Sequence, residues 1–421
     1  MDINKLLKGF DCTCGKHHTC DIDYVYIENG AISRLTEICK DYNNILIVAD
    51  ENTFGAAGEK TVLALDSKNI KKVIFTGKKI LVPNEEAINT VTENIGGIDL
   101  IVGIGSGVIQ DLCKYVSYFN NIPYMVVATA PSMDGYASDG AAMITGGMKV
   151  TYKAGLPRAI IADTAVLQNA PIDMLKAGYG DIIGKFSALN DWKLSQCINN
   201  EYFCDYIYNL TDEQIDRTLR LASGILERNE ESIKTLMEAL VIIGIMMSFA
   251  GSSRPASGSE HHLSHFFEIT GIIDNTEYFP HGIDVAYSTI VTTEIREKIL
   301  SLKFPDKIYR NTEKNEKDIK SIYKQVADGC IELQQKVGNY ANNRINIYLE
   351  KEKEIKKILE EVPSSEDIYD MLDLVGLDVN EFYKLYGKEK INNAVLYAKD
   401  LKDRYTVLWI NYDFYGDAKN V

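Results

Sequence analysis

Apolar residues in the first 165 positions fall into short continuous runs separated by stretches of helical spacing. The runs are Ile45–Ala49, Lys72–Phe75, Ile98–Ile104, Tyr124–Ala128 and Ala159–Ala162. They are rich in Val and Ile and do not alternate with polar residues, as expected of strands buried on both faces of a parallel sheet. Between them the spacing predicts helices over Ala31–Lys40, Ala56–Leu65, Glu85–Asn94 and Val108–Phe119. Alternation of this kind predicts a doubly wound, Rossmann-like α/β domain. The rhythm breaks over Gly140–Gly155, where Gly146-Gly147 between two apolar stretches predicts an inserted hairpin.

After Thr164 the strand pattern stops. Helical periodicity covers Met174–Leu194, Glu213–Arg228, Glu231–Ala250, Ser259–Ile269, Ile283–Leu300 and Asp318–Val337, and the chain from Tyr340 onward continues it. The Lys/Glu-rich stretch Lys351–Glu361 reads as a solvated helix. A chain of 421 residues is too long for one ordinary domain. We expect an α/β domain over 1–165 and an all-helical domain over 166–421. The longest apolar run, Ala239–Ala250, is too short to span a bilayer and predicts a buried core helix.

Net charge is −15, which argues against general affinity for nucleic acid or an anionic membrane. An anionic substrate then needs a local basic pocket. The opening Met1-Asp2-Ile3-Asn4 has no basic and apolar leader pattern, and the eight cysteines are scattered. Both features favour a reduced, cytoplasmic protein. One local exception is the cluster Cys12, Cys14, His17, His18 and Cys20. Its spacings fit no ordinary zinc finger and no second CxxC half lies nearby, so a merely local role is the favoured expectation.

Four of the six histidines sit between Gly258 and Gly282. His261 and His265 share one helix face at four-residue spacing, and His281 follows a predicted helix end. Imidazoles so placed can hold a divalent metal, though a satisfied polar face has the same spacing. Asp181, in a segment predicted to start a helix, can complete an Asp/His/His set with open positions, the arrangement of a catalytic metal. It also reads as an ordinary favourable charge at a helix start.

A second group of residues points to a nucleotide. Gly103-Ile104-Gly105-Ser106-Gly107 follows a predicted strand and opens the helix carrying Asp111. Glycines allow close backbone approach to a diphosphate, and the helix N-terminus offers N–H groups. This is not the GxGxxG fingerprint, and it lies at the fourth strand rather than the first. Asp50, ending an earlier strand, can accept from a ribose hydroxyl and disfavour a 2′-phosphate, or can simply serve a turn. The loop from Ala128 to Ser138 places Thr129, Asp134 and Ser138 where α/β proteins bind ligands, although Asp134-Gly135 also suits a plain turn.

The GxGSG turn, ATAPSMDGYAS, AGYGDIIGKFSALNDWKLS, SRPASGSEHHLSHFFE, the PHG tripeptide and DRYTVLW recur together. In this combination the chain resembles the iron-alcohol-dehydrogenase and dehydroquinate-synthase-like superfamily, and within it the bacterial branch of the sn-glycerol-1-phosphate dehydrogenase family. The resemblance covers nearly the whole chain. It implies a dehydroquinate-synthase-like fold, a homodimer or larger homo-oligomer, and NAD as cofactor with NADP possible. It implies one divalent metal, zinc or nickel with iron in some relatives, held by Asp181, His261 and His281. His265 would be the proton-relay histidine, and Asp134 would hold the substrate. Gly105, Ser106 and Gly107 would cradle the diphosphate, with Asp111 fixing the turn. Val108 stands where relatives often carry a hydroxylated residue, which removes one possible cofactor contact.

The implied reaction is the reversible reduction of dihydroxyacetone phosphate to sn-glycerol 1-phosphate for glycerophospholipid precursors. Lys149, Lys153 and Arg254 are the cations expected to meet the phosphate, Arg254 first because its fork can grip two oxygens. A surface salt bridge is the competing role for Arg254. Two other activities on the same fold remain open at this point: a glycerol or polyol dehydrogenase, and a cyclase like dehydroquinate synthase.

Overall fold

A computed structural model of the chain describes residues 2–77, 81–146 and 148–416, apart from the side chains of Met148 and Lys149. Gly147 of the expected hairpin turn and the Lys149 side chain, an expected phosphate contact, therefore lie outside the described residues.

The strands are β1 (Phe10–Asp11), β2 (His17–His18), β3 (Tyr24–Glu28), β4 (Asn44–Asp50), β5 (Asn69–Phe75), β6 (Leu100–Gly105), β7 (Tyr124–Ala128), β8 (Gly140–Thr145), β9 (Met148–Lys153) and β10 (Ala159–Asp163). Six of them form a parallel sheet in the order β3-β10-β7-β6-β4-β5. Within β4, Ile45, Ile47 and Ala49 enter one apolar cluster, and Leu46 and Val48 enter the opposite one. Burial on both faces is the reason these strands read as unbroken apolar runs. Strand β3 escaped that reading because it lies at the sheet edge and alternates exposed Tyr24 with buried Val25 and Ile27. The β8–β9 hairpin forms as expected, pairing Gly140 with Lys153 at its open end.

Six helices position the candidate sites: α1 (Gly107–Asn120), α2 (Ile172–Ile183), α3 (Lys185–Asn199), α4 (Glu230–Ala250), α5 (Ser259–Asp274) and α6 (His281–Leu300). The helix predicted over Met174–Leu194 is broken at Gly184 into α2 and α3. Ala31–Lys40 is a 3-10 turn followed by one short α-helix, and Ala56–Leu65 begins inside a π-helical stretch, Phe54–Gly58.

Two compact units emerge, Met1–Tyr179 with Asp216–Ser252, and Gly180–Ile215 with Ser253–Val421. The chain leaves the first unit after Tyr179 and returns to it over Asp216–Ser252, a stretch that includes α4. Helix α4 is apolar nearly all round and is long enough to cross a membrane, but 83% of its most apolar window is buried inside the fold. A helix hydrophobic on every face needs a core around it, which explains the return. Every regular element of the second unit is helical among its described residues.

Candidate metal centre and cofactor site

Helices α2, α5 and α6 supply the metal candidates. Asp181 does not start a helix, as the sequence suggested. It lies in the last turn of α2, whose first residues follow Pro171 and which ends before Gly184. A carboxylate there opposes the helix dipole, so local electrostatics do not explain its presence. Lys185, one turn on, compensates: its Nζ donates to Asp181 Oδ1 at 2.6 Å and to Ala256 O at 3.0 Å, with the Asp181 and Lys185 side chains fully buried. Gly180 lets α2 approach the start of α6, since a Cβ at this position would lie 2.4 Å from Gly282 O. His281 is the first residue of α6.

One donor atom each from Asp181, His261 and His281 lies within 4.8 Å of the others. His261 Nε2 is 3.5 Å from Asp181 Oδ1. Metal–ligand bonds of about 2.1 Å in a tetrahedron place neighbouring N and O donors about 3.4 Å apart, so this pair is already at ligand spacing. The other ring nitrogen, His261 Nδ1, lies 2.7 Å from Glu260 Oε1. A carboxylate partner there fixes the N–H on Nδ1 and leaves the Nε2 lone pair directed at Asp181. Burial lowers the His261 pKa well below the imidazole range, with Lys185 adding to the effect, so the ring is neutral, as a ligand must be. Burial also raises Glu260, while the Gly258 N–H, donating to the same Oε1 at 2.8 Å, lowers it. Asp191 Oδ2 accepts the Ser259 N–H at 2.7 Å and anchors the first turn of α5.

His265 sits beside this trio rather than in it. Its ring centroid is 5.5 Å from that of His281, and its Nδ1 is 3.9 Å from Glu268 Oε2. His265, Glu268 and His281 form a second convergent group that shares His281. His262 is buried, and neither of its ring nitrogens has a hydrogen-bond partner among the described residues. Sequence reasoning passed over Lys185, Glu260 and Glu268. Their signal was only spacing, four residues from Asp181, next to His261 and three residues after His265.

The cofactor candidates gather at the sheet. The chain goes from β4 outward to β5, then crosses back to β6 on the other side of β4. Ligands bind outside the carboxyl ends of strands at such a reversal. Asp50 and Gly105 end the two strands that flank it, in register with Val48 beside Gly103. Gly105 is required by packing, since a Cβ there would lie 2.7 Å from Ile109 Cβ. Gly107 differs: its nearest neighbour to an added Cβ is Met133 Cε at 3.8 Å, which leaves the backbone open to a phosphate. Ser106 precedes α1 without a side-chain cap, so its hydroxyl does not compete for the first-turn N–H groups. Thr129 is buried, and its N–H donates to Gly105 O at 3.2 Å.

Two expected cofactor residues also have structural work. Asp50 Oδ1 caps a short helix by accepting the Thr53 N–H at 2.8 Å, so Oδ2 is the oxygen left for a ribose. Asp111 Oδ2 accepts the Ala142 N–H at 3.2 Å, which ties α1 to the hairpin. The turn Asp134–Ala137 is gripped from α1 by Gln110, whose Nε2 donates to Gly135 O and Tyr136 O, both at 3.0 Å. Buried Lys114 adds bonds to Gly135 O, Ser138 Oγ and Gly140 O, and burial lowers its pKa. Ser138 is thereby a partner of Lys114. From α4, Ser248 Oγ donates to Ala137 O at 3.1 Å.

Of the expected phosphate contacts, the side chains of Arg254 and Lys153 lie among the described residues. Arg254 is buried and paired with Glu201, Nε to Oε1 at 2.6 Å and Nη2 to Oε2 at 2.5 Å, and it also donates to Tyr405 O at 2.9 Å. A guanidinium held this way is a structural clamp. Lys153 is exposed on the hairpin. Lys402 and Arg404, in the segment just before Tyr405, act on both His261 and His262, while Lys185 also acts on His261 and Arg254 on His262. Arg404 Nη1 donates to Ser257 O at 3.0 Å, next to the start of α5.

The family description for iron-containing alcohol dehydrogenases matches residues 26–171. A glycerol-1-phosphate dehydrogenase (NAD(P)+) of Halalkalibacterium halodurans is 31% identical over 422 residues, covering 97% of this chain and 98% of its own. The chain belongs to the glycerol-1-phosphate dehydrogenase family. The Bacillus licheniformis member is also 31% identical, over 95% of this chain and 91% of its own. Among solved structures, a probable glycerol dehydrogenase from Sinorhizobium meliloti superposes with a TM-score of 0.60 at 17% identity, over 90% of this chain and 89% of that one. That likeness shows a shared fold, a parallel-sheet domain followed by helices.

Proposed function

We propose that this chain is an NAD(P)-dependent oxidoreductase that reduces dihydroxyacetone phosphate to sn-glycerol 1-phosphate, reversibly, in the cytoplasm, supplying a glycerophospholipid precursor. The near full-length match to relatives of that name carries the reading. The convergence of Asp181, His261 and His281 supports it with chemistry. A divalent ion bound there, zinc or nickel with iron as a further candidate, would supply Lewis acidity at the substrate C2 oxygen, and NAD(P)H would supply the hydride.

The protein's own groups do the rest. Glu260 holds His261 in one tautomer, and Lys185 holds Asp181 against rotation. His265, with Glu268 beside it, returns a proton to the C2 oxygen, and Asp134 accepts from the substrate hydroxyls. Gly107 and the first turn of α1 receive the diphosphate. Asp50 favours NAD, with one oxygen left for the ribose. Lys402 and Arg404 take the substrate phosphate. Like many soluble dehydrogenases, the chain is proposed to work as a homodimer or larger homo-oligomer.

The test is product analysis. Dihydroxyacetone phosphate and NADH should give glycerol 1-phosphate of the sn-1 hand, inert to a stereospecific sn-glycerol-3-phosphate oxidase. Formation of the sn-3 product, or of none under any of the three metals, would remove the proposal.

A further inference from the structure

The N-terminal Cys/His segment, expected to have a merely local role, has a defined geometry. Residues 10–18 form a small hairpin, with Phe10 paired to His18 and Asp11 to His17. Its tip is a tight turn in which Gly15 N–H donates to Cys12 O, and Cys12 N–H donates to Lys16 O, both at 3.0 Å. Gly15 has φ +85°, a conformation that keeps the turn this tight and that few other residues adopt. The turn selects among the five candidate side chains. Cys12, Cys14 and His18 each bring one donor atom within 4.8 Å of the others. His17 points away to Asp11, at 2.8 Å. Cys20 is buried, its thiol hydrogen-bonded with Ser248.

His18 carries the decisive geometry. Its ring is fully buried and stacks on Phe249 at 5.1 Å, at the end of α4. Nδ1 lies 3.1 Å from Phe249 O, so Nδ1 bears the proton and Nε2 keeps its lone pair. A backbone carbonyl on the far nitrogen is the support that metal-bound histidines have. Nε2 faces Cys14 Sγ at 3.4 Å. Bonds of about 2.3 Å to sulfur and 2.0–2.1 Å to nitrogen set these donors about 3.6 Å apart in a tetrahedron.

We propose that Cys12, Cys14 and His18 hold a thiophilic divalent ion, zinc, which pins the N-terminal hairpin to the end of α4. None of the eight cysteines is in a disulfide, which leaves both sulfurs available as thiolates. It shares no residue with the Asp181 trio.

The experiment uses full-length protein loaded with Zn(II), desalted against a weak chelator and analysed for metal, with Co(II) loading in parallel. The wild type should keep about two equivalents of zinc and show the near-ultraviolet thiolate-to-cobalt charge-transfer band. Cys12→Ser/Cys14→Ser should lose one equivalent and the band. Asp181→Asn should lose the other equivalent and keep the band. Since both cysteines are only half-buried, the double serine variant is expected to retain the wild-type circular dichroism. Equal zinc in wild type and double serine variant, zinc that the chelator strips from an adventitious site, or an absent cobalt band would overturn the proposal. A single equivalent accompanied by the band would uphold it and count against the Asp181 centre instead.

Discussion

Asp181→Asn separates two roles of one carboxylate. The side chain accepts from Lys185 at 2.6 Å with both groups fully buried, and it faces His261 Nε2 at 3.5 Å. Asparagine keeps the shape and an acceptor oxygen but removes the charge, so the Lys185 ammonium is stranded. Breaking a buried pair in this way costs about 3–5 kcal/mol. Lys185 still donates to Ala256 O at 3.0 Å, which places the expected loss near the low end, about 3 kcal/mol. Asp181→Asn/Lys185→Met removes the stranded charge and should recover most of that stability. It should not recover metal. Loss of a group that merely supports a ligand weakens binding about 10–100-fold, and loss of an anionic ligand should exceed the upper figure. Denaturant unfolding of the metal-free proteins reads the first effect, and metal content with NADH oxidation reads the second. Two results would each refute the reasoning: a single variant that binds metal and turns over normally, or a double variant that regains activity with its stability.

Gly107→Ala should fold within about 1 kcal/mol of wild type, because an added Cβ meets nothing closer than 3.8 Å, yet raise the KM for NADH; Gly105→Ala should instead unfold early through its 2.7 Å clash with Ile109. Arg254→Lys should lower stability by about 2–3 kcal/mol, reduced by the part-exposure of Glu201, and leave the KM for dihydroxyacetone phosphate unchanged, whereas Arg404→Ala or Lys402→Ala should raise it at least several-fold. Asp284 is buried and its pKa is raised, chiefly by desolvation, although Tyr386 donates to it at 2.8 Å. As pH rises above the unfolded value near 3.9, the unfolded chain releases that proton and the folded one keeps it, so stability falls by up to about 1.4 kcal/mol per pH unit until the folded value is passed. The melting temperature of Asp284→Asn relative to wild type should therefore climb as pH rises above 4, and a difference that ignores pH would count against that burial effect.

The parallel sheet was legible because burial on both faces leaves unbroken Val/Ile runs, and β4 shows the mechanism by sending alternate residues into two apolar clusters. The edge strand β3 was not legible, since one of its faces is wet. Helical periodicity reported that Met174–Leu194 is helical but carried no sign of the break at Gly184, so Asp181 was placed at a helix start when it sits in a last turn. Histidine spacing and motif resemblance together indicated Asp181, His261 and His281, and the structure brings them together. The partners that tune them depend on contacts far apart in sequence and leave little mark on the chain. Arg254 shows the same limit. Its type suited a phosphate, but only the fold reveals Glu201 against it. The Cys12, Cys14 and His18 cluster was judged by finger spacings, and its geometry comes from a hairpin turn and a carbonyl 231 residues away.

The central claim is an activity on a phosphorylated ketone that depends on the Asp181 centre. Its most direct measurement is kcat/KM for NADH oxidation with dihydroxyacetone phosphate and with dihydroxyacetone, on wild-type and Asp181→Asn protein loaded in turn with zinc, nickel and iron. The wild type should prefer the phosphorylated ketone by orders of magnitude with at least one metal, and the variant should be inactive with all three. Equal turnover of the two ketones, or undiminished activity in the variant, would contradict it.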